Sequence, residues 1–121
     1  MNICRSLSFV FVFVVACTAS VPELDGFNAE AWKTDRNACT GQRENLRTNL
    51  LNQKGKLLGL SEMEMVDALG KPDEQEIYKR SEKFFYYYLS PSSECPNAAP
   101  SPERLVIRFN AVGLAKEISV E

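Results

Sequence analysis

From residue 42 onward the spacing of apolar positions changes from helical to alternating. Gln42 to Lys54 predicts a helix. Leu46 and Leu50 share one face, with Leu51 beside them, and Arg43, Glu44 and Arg47 fill the wet side. Gly55 or Gly59 ends it. Ser61-Glu62-Met63-Glu64 then reads as a capping box, with Ser61 as the N-cap and Glu64 three residues on. Leu60 and Met65 form a hydrophobic staple across that start, and Val66 and Leu69 complete the stripe. Gly70 supplies a left-handed C-terminal residue and Pro72 forbids continuation. Ahead of both, Ala29 to Ala38 allows a short helical turn.

After Pro72 the period becomes two. Glu74 to Lys79 and Lys83 to Leu89 read as strands, with Arg80-Ser81-Glu82 as the turn between them. Residues 90–102 carry four prolines and form a loop. Arg104 to Asn110 alternates, with Leu105, Ile107 and Phe109 on one face and Val106 and Arg108 on the other. Leu114 to Glu121 is the last strand, with Ile118 and Val120 facing in. Consecutive strands with short turns pair antiparallel. The expected fold is α+β: two N-terminal helices packed on a three- to four-stranded antiparallel meander.

The strand KFFYYYL at 83–89 holds five aromatic residues in a row. Alternation puts Phe84, Tyr86 and Tyr88 on one face and Phe85, Tyr87 and Leu89 on the other. Parity leaves open which face meets the helices. The remaining face has three readings: a half-wet surface where tyrosine hydroxyls reach water, a surface for a protein partner or lipid headgroups, or a face covered by Phe27 and Trp32. Phe84, Phe85, Tyr86, Tyr87 and Tyr88 are therefore the candidate contact residues.

The N-terminus has a different character. Arg5 precedes an apolar run from Leu7 to Ala16, which is too short to span a bilayer (roughly 20 residues) and fits an export signal. Val14-Val15-Ala16-Cys17 resembles a bacterial lipobox. That resemblance implies a signal peptide over 1–16 and a diacylglycerol on Cys17, and Thr18 after the cysteine points to the outer membrane. Each buried acyl methylene contributes about 0.8 kcal/mol, so two or three chains anchor firmly. The alternative is a secreted protein cut near Thr18–Ser20. Residues 17–28, with Pro22 and Asp25-Gly26, read as a flexible tether, and 29–121 as one domain.

Composition narrows the chemistry. Net charge is −2, so there is no basic footprint for nucleic acid. Histidine is absent, which removes histidine-dependent nucleophilic catalysis and histidine-ligated metal sites. There is no CxxC and no glycine-rich phosphate loop. Carboxylates are plentiful but unspecific: Asp73, Glu74 and Glu76 read as solvated charges rather than a metal site, and Lys79, Arg80 and Lys83 as a solvated hairpin tip. No catalytic residue, cofactor or small-molecule substrate is identified. With Cys4 in the signal and Cys17 assigned to lipid, Cys39 and Cys95 remain. In an oxidising compartment they suggest a disulfide, worth about 4 kcal/mol in the chain-entropy model; two free thiols are the alternative.

The run GLSEMEMVDALGKPDE, an aromatic strand, and then RLVIRFNAVGLAKEISVE resemble the small lipoproteins of the BamE/SmpA (OmlA) type over residues 55–121. The matching positions are Gly59, Val66, Leu69, Gly70, Pro72, the tyrosines, Phe109 and Gly113. The proline-rich loop around Cys95 and the cysteine pair depart from that pattern. The resemblance implies a lipid-anchored, periplasm-facing, non-enzymatic domain of the outer membrane. It would act by protein contact as an accessory of outer-membrane protein assembly. The same architecture is shared with β-lactamase inhibitor proteins, so an inhibitor or ligand-binding domain is the alternative.

Overall fold

The computed structural model describes residues 21–121; residues 1–20, with the expected signal segment and lipid site Cys17, lie outside it. Three α-helices pack on one four-stranded antiparallel sheet.

Helix α1 (Ala29–Thr34) begins where the Asn28 side chain accepts the Ala31 N–H, and a 3-10 turn (Arg36–Ala38) follows it. Helix α2 (Gln42–Asn52) ends two residues earlier than the sequence predicts, passing into a second 3-10 turn (Lys54–Leu57). Helix α3 (Glu62–Leu69) carries the expected capping box: Glu64 N–H donates to Ser61 Oγ and Ser61 N–H to Glu64 Oε1. Gly70 closes it at φ +83°, and a Cβ there would stand 2.9 Å from Lys33 Cγ. Glycine thus serves both the turn and the approach of α3 to α1.

The strands are β1 (Glu74–Ile77), β2 (Lys83–Tyr88), β3 (Arg104–Phe109) and β4 (Ala115–Val120), lying side by side in chain order. Between β3 and β4, Asn110 Oδ1 accepts the N–H groups of Val112 and Leu114, which sets the tight turn. The helix-facing side of the sheet carries Phe85, Tyr87, Leu105, Ile107, Phe109 and Ile118. They join Trp32, Leu50, Leu57, Met65 and Leu69 in one core. Cys39 and Cys95 are joined, with Cα atoms 5.4 Å apart, and the bond ties the proline-rich loop to the turn after α1.

Four sequence expectations are corrected. The segment 21–28 is docked along its second half rather than free. Leu24 and Phe27 pack against the core, Asp25 N–H donates to Gln53 Oε1, and the Asp25 carbonyl accepts from Asn49 and Gln53. Arg43 does not lie on the wet side of α2: its side chain, like that of Asp73, is 0% exposed. Asp73 accordingly is not a solvated charge. Finally, Phe27 and Trp32 cover the helix-facing side of β2, through a 6.1 Å Trp32–Tyr87 ring contact, and not its other face.

Candidate contact surfaces

Strand β2 is aromatic on both sides, and the two sides differ in what covers them. On the helix side Phe85 and Tyr87 are core residues, so they leave the set of contact candidates. Phe85 meets Phe109 edge-on at 4.7 Å. Tyr87 donates its hydroxyl to the Gly70 carbonyl at 2.8 Å, which locks the end of α3 to the sheet. Burial pushes its phenol well above the ordinary range.

Beneath Tyr87 lies a buried ionic node that joins α1, α2, the start of β1 and the end of β2. Arg43 Nη1 meets Asp73 Oδ2 at 2.6 Å, and Arg43 Nε donates to the Trp32 carbonyl at 2.9 Å. The guanidinium carbon stands 4.9 Å from the Trp32 ring centre and 5.8 Å from that of Tyr87. Asp73 also accepts the main-chain N–H groups of Asn37 and Tyr88. Nearby Asp35 takes the N–H groups of Arg43 and Thr40 and the Thr40 hydroxyl. Burial raises its carboxyl pKa, but those three bonds and the Arg43 charge outweigh burial and hold it below 3.8. A buried pair built this way orders neighbouring elements rather than offering a surface.

On the outer face Phe84, Tyr86 and Tyr88 form a row. They are neither bare nor covered by the N-terminal segment. Arg104 lies flat on Tyr86, its guanidinium carbon 3.9 Å from the ring centre. It is held there by Glu74 at 3.2 Å and Glu121 at 3.0 Å. Arg108 bridges Glu82 at 3.3 Å and Glu117 at 3.1 Å. The Tyr86 hydroxyl donates to Glu76, and that of Tyr88 to Glu74 at 3.0 Å. Tyr78 tilts against Phe84 at 4.7 Å. Burial first, then the carboxylates that accept their hydroxyls, push both the Tyr86 and Tyr88 phenols upward. Burial alone would weaken the Arg104 charge, and its bond to Glu121 reverses that. Tyr86 is left only 4% exposed. Cross-strand register makes this lattice possible: Glu74 pairs with Tyr86, Val106 with Tyr86, and Arg104 with Tyr88.

The exposed apolar side chains lie elsewhere. Ile77 and Tyr78, at the end of β1, are 71% and 53% exposed, and with Arg80 and Glu82 they line a concavity of about 640 Å³. A smaller groove of about 230 Å³ runs between α3 and the sheet, with Met63, Val66 and Phe85 along it and Glu62 and Asp67 at its rim. Among the described residues no group of three or more histidine, cysteine or carboxylate side chains is placed to hold a metal. No described helix is long and apolar enough to cross a membrane. Comparison with family models, with curated proteins and with solved structures finds no match to this chain.

The sequence-selected residues thus separate. Phe85 and Tyr87 are core, Phe84, Tyr86 and Tyr88 belong to the outer lattice, and Cys39 and Cys95 bond to each other. Cys17 lies outside the described residues. The Arg43–Asp73 node was missed because Arg43 falls in a polar stretch of α2. The one local signal is Asp73 itself, which directly follows the Gly70–Pro72 stop and so enters the sheet from beneath α1.

Proposed function

We propose that this protein is a lipid-anchored, non-enzymatic domain of the bacterial cell envelope. It acts by protein contact as an accessory of outer-membrane protein assembly. The observation that carries the reading is Val14-Val15-Ala16-Cys17, a lipobox-like run six residues ahead of a chain segment already bonded to the domain at Glu23. The helix–Leu-Gly-x-Pro–strand pattern of the BamE/SmpA type supports it, since Gly70 and Pro72 do stand at the end of α3 and Phe109 in the core. The Cys39–Cys95 bond suits an oxidising compartment. The outer aromatic face, tied down by its own arginines and glutamates, is a weaker candidate for the contact than the end of β1.

Growth with a radiolabelled fatty acid tests the anchor. Label should enter the wild-type protein and be absent from Cys17→Ser; an unlabelled wild type would refute it. Cross-linked capture from native membranes through a C-terminal tag then tests the partner. Recovery of an outer-membrane barrel or its assembly lipoproteins supports the accessory role. Recovery of one soluble enzyme would replace it with an inhibitor.

A further inference from the structure

The two edges of the sheet are finished differently. Along β4 the outward main-chain groups of Ala115 and the Ile118 carbonyl are occupied. Ala115 N–H donates to the Leu60 carbonyl, the Ala115 carbonyl accepts Gly59 N–H, both at 2.9 Å, and Lys54 Nζ reaches the Ile118 carbonyl at 3.1 Å. The loop before α3 therefore closes the Ala115 end of that edge, and Lys54 reaches over its middle.

Along β1 no described residue does so. Tyr78 N–H donates to the Glu82 carbonyl at 2.8 Å, which fixes the phase of the ladder. In an antiparallel pair bonded positions alternate, so Glu76–Phe84 and Glu74–Tyr86 are the bonded pairs. The N–H and carbonyl groups of Gln75 and Ile77 then point away from the sheet. Among the described residues none bonds to them. All four β1 residues are exposed; the strand has no proline or lysine, and its only guards are its shortness and the charge of Glu74 and Glu76.

The side chains say what fits. Glu74 and Glu76 lie on the outer face, and Glu76 has no cation beside it among the described residues. A second copy paired antiparallel about Gln75 would set Glu74 against Glu76 twice, and a parallel copy would align like with like; both are repulsive. An incoming strand with lysine or arginine at those positions is attracted instead. At the intervening positions it would meet Gln75 and the exposed Ile77, beside the concavity lined by Tyr78, Arg80 and Glu82.

We propose that β1 is a docking edge for an extended segment of another protein, one that alternates basic with apolar residues and joins the sheet as a further strand. The proposal rests on the reading of this protein as a contact domain and names the edge that makes the contact. Fatty-acid labelling is blind to it, so the two can fail separately.

The test uses the full chain in detergent and two acetylated hexapeptides, one alternating lysine with valine and one alternating glutamate with valine. Amide hydrogen exchange is read at Gln75 and Ile77. The lysine peptide should slow both amides and bind roughly tenfold more tightly than the glutamate peptide, from two reversed cross-strand charge pairs. Gln75→Pro loses no ladder bond, because that N–H faces outward, and should abolish the protection of the Ile77 amide with little change in melting. Unchanged exchange, equal affinity for the two peptides, or protection that survives Gln75→Pro would overturn the proposal. Protection of the same amides without peptide, rising with protein concentration, would overturn it in favour of a second copy. Should Gln75→Pro fail to fold, the comparison of the two peptides decides alone.

Discussion

Arg43 and Arg104 each lie against a tyrosine of β2, on opposite sides of the same sheet. Arg43 is sealed beneath Tyr87, paired at 2.6 Å with an equally sealed Asp73, and its Nη2 has no hydrogen-bond partner among the described residues. Arg104 lies on Tyr86 at the surface, shared between two half-exposed glutamates. The same side chain is a brace in one place and a lid in the other. In the interior, loss of a partner leaves a charge that water cannot reach. At the surface, water and salt replace much of what is lost.

The largest effect is expected from Asp73→Ala. It strands Arg43 in the interior and frees the Asn37 and Tyr88 N–H groups, at a cost of about 3–5 kcal/mol in chemical denaturation. A loss below about 1 kcal/mol would show that the node is dispensable. Acid acts on the same node through Asp35. Its carboxyl titrates below 3.8 when folded, so its contribution is complete above that pH and declines as pH falls through the folded value. Asp35→Asn should flatten the acid limb of a stability–pH profile; an unchanged limb would assign it to other carboxylates. Arg104→Ala should cost least, about 1 kcal/mol from one ring contact and two surface pairs. The difference should shrink in high salt. A larger cost that is insensitive to salt would mean that Tyr86 packing, not charge, holds the outer face.

The sequence was legible where structure is determined locally. Ser61, Glu64, Gly70 and Pro72 delimit α3 because caps act within a few residues. Leu105, Ile107, Phe109 and Ile118 reveal their face by alternation. Arg43 was misread because a polar residue beside Glu44 on a helix fits a wet face, and only Asp73, thirty positions on, reverses that. The orientation of KFFYYYL was not legible because both parities are aromatic. It is decided by distant partners, Gly70 for Tyr87 and Arg104 for Tyr86. The open edge of β1 was equally hidden, since no residue of that strand announces that part of β4 is covered while no described residue covers β1.

The docking of Leu24 to Phe27 sets a geometric limit under the proposed anchor. With a lipid on Cys17 and Glu23 already bonded to Lys56, only Thr18 to Pro22 would separate anchor from domain. The six steps from Cys17 to Glu23 reach at most about 22 Å. The domain would ride low over the bilayer like a boat on a short mooring, its heading confined. The side around Val21 and Lys56 would face the lipid, and a partner would have to come alongside.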